Sequence, residues 1–166
     1  MSKEFYQVEF STYNSESELD QNDNELLTQA KAAALKAYAP YSTFKVGAAV
    51  RLANGKIVVG NNQENAAYPS GLCAERVALF YANSIYPDVA PVAIAITAIS
   101  DNVPIDEPIT PCGACRQVMA EFEKKGGNNL KVIMQGQKGP VLITNSMKML
   151  LPFSFADDIL LKYISR

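Results

Sequence analysis

The chain has 166 residues, 48% of them hydrophobic, with 15 basic against 17 acidic side chains and a net charge of -2. That length suits one domain able to bury roughly 70% of its unfolded surface. The near-neutral balance, with no basic run longer than Lys124-Lys125, argues against a nucleic-acid partner. No apolar run approaches the ~20 residues of a membrane span, and Met1-Ser2-Lys3-Glu4 lacks a signal-peptide pattern, so a cytoplasmic location is expected.

Residues 1–22 hold a short apolar alternation, Tyr6, Val8 and Phe10, then a polar stretch from Asn14 to Asn22; they predict an N-terminal arm, with an edge strand as its one regular element. The remainder, 23–166, reads as a single domain. Asn22 with Glu25 has the spacing of a capping box and predicts a helix presenting Leu27, Ala30, Ala34 and Tyr38 until Pro40 ends it. Strands over 44–52 and 56–60 follow, joined at Asn54-Gly55, which suits a tight turn. After a loop from Asn61 to Leu72, a helix is expected from Cys73 to Asn83 with Val77, Phe80 and Tyr81 on one side.

Val92 to Ile99 is apolar except for Thr97 and predicts a central strand covered on both faces. An acidic, proline-containing loop spans 100–110, and a helix begins near Cys112 carrying Val118, Met119 and Phe122. Strands at Leu130–Met134 and Val141–Thr144 come next. Ser146 caps a short helix cut off by Pro152, and a last helix is expected from Ala156 to Tyr163. Five strands with helices between the later ones predict an α/β fold, a three-layer α/β/α sandwich on a five-stranded mixed sheet.

All three cysteines fall in two motifs, Cys73-Ala74-Glu75 and Pro111-Cys112-Gly113-Ala114-Cys115, and the chain has no histidine. Separately, a Cys-x-x-Cys can be a redox pair, and a lone cysteine is commonly a small buried apolar residue. Together they form the three-cysteine variant of the zinc-deaminase signature, whose glutamate is not a ligand. Three thiolates with no fourth Cys or His leave one position open on a bound zinc, where a water can be acidified.

Each motif opens a predicted helix, where free N–H groups and the helix dipole favour thiolate. Cys112 and Cys115 share a helical face, whereas Glu75 lies roughly opposite Cys73 and is placed to move protons rather than to bind metal. Three thiolates on Zn²⁺ leave a formal -1 that weakens the Lewis acid. Arg76 can offset this by donating to sulfur, its alternative being a solvent-facing arginine.

With Tyr41-Ser42-Thr43-Phe44-Lys45-Val46-Gly47-Ala48-Ala49, Cys73-Ala74-Glu75-Arg76 and Pro111-Cys112-Gly113-Ala114-Cys115-Arg116-Gln117, the chain resembles the homotetrameric cytidine deaminases over residues 24–160. The resemblance implies one zinc per chain on Cys73, Cys112 and Cys115, with Glu75 as the proton carrier. It implies that Asn62 and Glu64 hold the ribose hydroxyls, that Phe44 packs near the base and that Ala74 contributes to substrate binding. It also implies a homotetramer with shared sites, in which Phe155, aligning better than Phe153, reaches a neighbouring pocket. The expected substrate is a free nucleoside, cytidine or deoxycytidine; a deaminase of another aminopyrimidine nucleoside, of the blasticidin type, and a non-catalytic zinc module are the alternatives. The N-terminal arm, a longer loop before Pro111, and Asn61 and Gln63 depart from the family pattern.

Overall fold

The computed structural model describes residues 2–155 and 162–164. In chain order, β1 (Ser11–Tyr13) precedes α1 (Gln21–Ala34), β2 (Phe44–Leu52) and β3 (Ile57–Asn61) form a hairpin, and α2 (Ala74–Ile85) leads to β4 (Pro91–Ser100). Then come α3 (Gly113–Gly126), β5 (Lys131–Gln135), β6 (Val141–Thr144) and a 3-10 turn at Met147–Met149. The helix expected over Ala156–Tyr163 falls largely on 156–161, outside the described residues.

The sheet order is β1-β6-β5-β4-β2-β3, with β4 and β5 parallel and every other pair antiparallel. It has six strands where five were expected. The sixth, β1, pairs with β6 through Ser11 to Tyr13, so the alternating run at Tyr6, Val8 and Phe10 stays exposed and unpaired just before it.

Strand alternation sorts the core into two layers. Ala48, Val50, Ile94, Ile96, Val132 and Met134 face α2 and α3, while Ala49, Ala93, Ala95, Ile133 and Ile143 face α1. The β4 run is apolar but for Thr97, whose buried hydroxyl donates to Gly136 O at 2.7 Å, because both its faces are covered, by α1 on one side and by α2 and α3 on the other. Two glycines set the helix spacing. A Cβ at Gly47 would lie 2.0 Å from Ala30 O, and one at Gly60 would lie 2.5 Å from Ala78 N and 2.8 Å from Ala74 O. Helix α1 thus rests on the backbone of β2, and α2 on that of β3.

The start of α1 differs from expectation. Asp20 is the cap, accepting from the Asp23 N–H at 2.8 Å. Asn22 and Glu25 serve Arg51 instead, whose Nη2 donates to Asn22 O at 2.9 Å and to Glu25 Oε2 at 2.8 Å. The helix also stops at Ala34, four residues before Tyr38. Tyr38 is extended, its N–H donating to Asn62 O and its carbonyl accepting from the Glu64 N–H. That bridge fixes the strand that leaves β3.

Glu123 was unremarked in the sequence, where it reads as one of several acidic residues on α3. Its side chain is buried and accepts from Leu130 N–H (2.7 Å), Met147 N–H (2.9 Å) and Ser146 Oγ (2.8 Å). One carboxylate therefore joins α3 to the entry of β5 and to the turn after β6. Among the described residues no helix is long and apolar enough to cross a membrane.

Candidate metal centre and substrate cleft

Cys73 and Cys112 are the N-cap residues of α2 and α3, and Cys115 lies in the first turn of α3. Neither cap makes a side-chain hydrogen bond to its helix, so both sulfurs are free to point away from it. All three Sγ atoms lie within 4.8 Å of one another, and Cys73 and Cys112 are 3.9 Å apart. Tetrahedral Zn–S bonds of ≈ 2.3 Å put sulfurs about 3.8 Å apart, so the donor set fits zinc in number, softness and spacing.

Charge in the cluster is unevenly held. The hydrogen bond from Cys115, with help from Arg76 and Cys112, outweighs burial and brings the Cys73 thiol down to about 5. The Cys115 thiol moves the other way, because its proton is shared with Cys73 and its surroundings are buried and face the Glu75 charge. Without a cation, three crowded thiols hold one thiolate easily and resist the next. A divalent ion removes that conflict.

Arg76 Nη2 donates to Cys73 Sγ at 3.6 Å, and its buried Nε has no hydrogen-bond partner among the described residues. Glu75 lies outside the sulfur cluster and is only 4% exposed. Burial, seconded by the Cys73 charge, raises its carboxyl above the ordinary range. A carboxylate in this state is a stronger base than an exposed one.

Beside the sulfurs opens a cleft of about 420 Å³ whose lining includes Phe44, Asn62, Glu64, Cys73, Glu75, Arg76 and Cys112. Two of the three clustered cysteines, the buried carboxylate and three of the five expected substrate-binding residues therefore line one cavity, while Cys115 is buried behind it. Ala74 is fully buried with its carbonyl against the Gly60 backbone, and it does not line the cleft.

Phe155 lies away from its own chain's cleft, on the outer side of α3, where its N–H donates to Gln117 Oε1 at 3.1 Å and its carbonyl accepts from Gln117 Nε2 at 2.7 Å. Its ring is exposed, while Phe153 meets Tyr6 edge-on at 4.7 Å between centroids. Of the paired aromatics, only Phe155 lacks a recorded ring partner among the described residues.

Asn62 Oδ1 accepts from Val46 N–H at 2.7 Å, and Nδ2 donates to Phe44 O at 2.9 Å. One amide N–H is left for a ligand. Glu64 accepts from Tyr41 N–H (2.9 Å), Ser42 N–H (3.2 Å) and the Ser42 hydroxyl. The Ser42 hydroxyl, first, and the Tyr41 N–H, second, hold this carboxyl below its usual range.

Sequence reasoning missed three residues around the cleft. Arg116 donates from Nε to Pro111 O (2.8 Å), from Nη1 to Leu150 O (3.0 Å) and from Nη2 to Thr110 Oγ1 (3.3 Å), pinning the loop ahead of Cys112 to the C-terminal turn. It stands inside a motif already singled out, so its position was visible though its task was not. Ile109 and Thr110 supply a cleft wall that could not be assigned without knowing where the 100–110 segment packs.

Residues 20–126 match the family model described as the cytidine and deoxycytidylate deaminase zinc-binding region. The cytidine deaminase of Sporosarcina psychrophila is 40% identical over 133 residues, covering 80% of this chain and 90% of that protein. A crystal structure of cytidine deaminase from Burkholderia pseudomallei superposes with a TM-score of 0.67 at 46% identity, covering 79% of this chain and 97% of the other. Cytidine deaminase from Mycobacterium tuberculosis superposes at 0.63 with 31% identity, over 84% and 99% of the two chains. A shared fold, a matching zinc-binding region and a three-cysteine cluster of the right spacing agree: this chain belongs to the cytidine and deoxycytidylate deaminase family.

Proposed function

We propose that the protein hydrolyses cytidine and deoxycytidine to uridine and deoxyuridine, releasing ammonia, as one step of pyrimidine salvage. The observation that carries this reading is a buried carboxylate, Glu75, in the same cleft as Glu64, Cys73 and Cys112, the last two being members of a cluster of three convergent cysteine sulfurs. Cys73, Cys112 and Cys115 would hold one zinc per chain. When bound, the zinc supplies the Lewis acidity that makes water nucleophilic at neutral pH.

The chain's own residues do the rest. Glu75 takes a proton from the attacking water as its oxygen adds to C4 of the pyrimidine, and passes that proton to N3. It then carries the second water proton to the exocyclic amine, the C4–N4 bond breaks and ammonia departs, leaving the 4-oxo product. With no histidine in the chain, one carboxylate serves both transfers. Its buried setting supports the double role, since a carboxylate whose pKa is raised by burial is a stronger base toward the water proton.

Glu64 and Asn62 orient the sugar: Glu64 is kept ionised by three donors and retains acceptor capacity, and Asn62 retains one donor. Phe44 packs beside the base, and Ala74 contributes from its place between Cys73 and Glu75. Arg76 draws charge from the Cys73 sulfur. Phe155, exposed and remote from its own cleft, would complete the pocket of a neighbouring subunit in a homotetramer. On this reading residues 1–22 are an arm on a single deaminase domain, 23–166, and the enzyme acts in the cytoplasm on a small nucleoside without a nucleic-acid or membrane partner, as the near-neutral charge supports.

The test is ammonia release from the zinc-loaded protein over cytidine, deoxycytidine, deoxycytidylate, cytosine and blasticidin S. Turnover is expected with the two free nucleosides. Turnover confined to blasticidin S, or none with any compound, overturns the proposal.

A further inference from the structure

Thr43 is the only non-glycine with positive φ among the described residues, at 57°. A β-branched side chain is disfavoured there, so such a conformation persists only where its surroundings impose it. The restraints are explicit. Thr43 N–H donates to Ala39 O at 3.1 Å, Thr43 Oγ1 donates to Ser42 O at 2.6 Å, and Asn102 Nδ2 donates to Thr43 Oγ1 at 3.0 Å.

Asn102 belongs to the segment after β4 and is itself held, its N–H donating to Ser100 Oγ at 3.2 Å. Its neighbour Asp101 pairs with Lys45 Nζ at 2.7 Å. The segment is thus fastened at adjacent points on either side of Phe44.

The turn at Thr43 decides where the Ser42 hydroxyl points. It brings Phe44 N–H back onto Ser42 Oγ at 3.0 Å. With that acceptor role filled, the hydroxyl proton is directed to Glu64 Oε1, while the Tyr41 and Ser42 N–H groups converge on Oε2. Had Thr43 relaxed to an extended or helical φ, the Phe44 N–H would leave Ser42, and the hydroxyl would lose its aim.

We propose that Asn102 is a positioning residue for Glu64, acting through the left-handed turn at Thr43, so that the acidic loop before Pro111 tunes the grip on the sugar. The proposal rests on the reading of Glu64 as the ribose-holding carboxylate. It gives a task to a loop whose length departs from the family pattern, and it does so without contact between that residue and substrate.

Steady-state kinetics on the zinc-loaded full chain test it, with cytidine and 2′,3′-dideoxycytidine as substrates. Asn102→Ala should raise the cytidine KM roughly three- to tenfold, the effect of one lost hydrogen bond, and leave kcat within about twofold. The dideoxy compound lacks the hydroxyls Glu64 would hold, so its KM should stay within about twofold. Glycine adopts positive φ without steric penalty, so in a Thr43→Gly background the Asn102→Ala change should alter the cytidine KM by less than about twofold.

An equal KM penalty in both backgrounds, or on both substrates, shows a general loop tether and overturns the proposal. If Glu64→Gln raises the cytidine KM but Asn102→Ala does not, the latch alone fails. If Glu64→Gln leaves the cytidine KM unchanged, the reading of Glu64 fails, and the proposal with it.

Discussion

Gly60→Ala tests whether the spacing between α2 and β3 sets the metal site. The added methyl would sit 2.5 Å from Ala78 N and 2.8 Å from Ala74 O, both backbone atoms. Ordinary contact needs about 3.4 Å, so the helix must withdraw by about 0.6–0.9 Å along its first turns. Overpacking of this kind costs about 1–3 kcal/mol. The functional cost should be larger, because Ala74 lies between Cys73 and Glu75, and zinc sites hold their ligands to within ±0.2 Å. Cys112 and Cys115 stay behind on α3, so moving α2 pulls one sulfur off the other two.

Zinc affinity, read by competition with a chromogenic chelator, should fall by about tenfold or more, and kcat should fall with it. Gly113→Ala is the control. Nothing lies within 4 Å of its added Cβ, and it occupies the first residue of α3 beside Cys112, so zinc affinity should stay within about twofold. A Gly60→Ala protein with unchanged zinc affinity and kcat would refute the reasoning.

Glu75→Gln should keep a full equivalent of zinc while turnover drops by at least about 10²–10⁴-fold; metal loss by elemental analysis would make Glu75 a ligand instead. Arg76→Gln should lower kcat and move the acid limb of its pH profile upward, because an unrelieved Cys73 thiolate makes water harder to deprotonate; an unchanged profile at full zinc occupancy would contradict the 3.6 Å contact having a chemical role. Glu64 has a depressed carboxyl pKa, so the contribution of its contacts is complete above the ordinary carboxylate range and is lost only as pH falls through the lowered value. The cytidine KM should accordingly be flat from neutrality through that ordinary range, and Ser42→Ala should move its acidic rise upward, as KM measured against pH would show. Glu123→Ala strands two buried N–H groups and should cost about 3–5 kcal/mol in urea unfolding, with Glu123→Gln costing less than half of that because one acceptor oxygen remains.

The metal centre was legible because its information is local. Cys73 and Cys112 announce themselves by type, and each begins a helix, which fixes where its sulfur can point. Strands β2 to β6 were likewise readable from runs of apolar and β-branched residues bounded by turns. Features that depend on distant partners were not. Asp20 is the cap of α1, with Asn22 already inside the first turn, and Glu25, which a capping box would turn back on the chain, instead pairs with Arg51 on β2.

The strand at Ser11–Tyr13 lacks an apolar alternation of its own and is defined by the free edge of β6. The burial of Glu123 depends on Leu130 and Met147, at separations of 7 and 24 residues, so nothing in the α3 sequence distinguishes it from Glu121. The positive φ of Thr43 has no sequence signal at all, since threonine is a residue a turn prediction would avoid there.

The two helices that carry the sulfurs begin without a hydrogen-bonded cap, in contrast to α1, where Asp20 closes the first turn. A cation drawn to Cys73, Cys112 and Cys115 would therefore act as a shared staple for two helix starts that lack a side-chain cap, and its binding energy would also be folding energy. Stripping the metal should loosen Ala74-Glu75-Arg76 and Gly113-Ala114 first, visible as faster amide exchange confined to those turns while β4 and β5 stay protected. If Glu75 carries the protons as proposed, its order would then be maintained by the cofactor itself, so catalytic competence and local rigidity would be gained or lost in a single step.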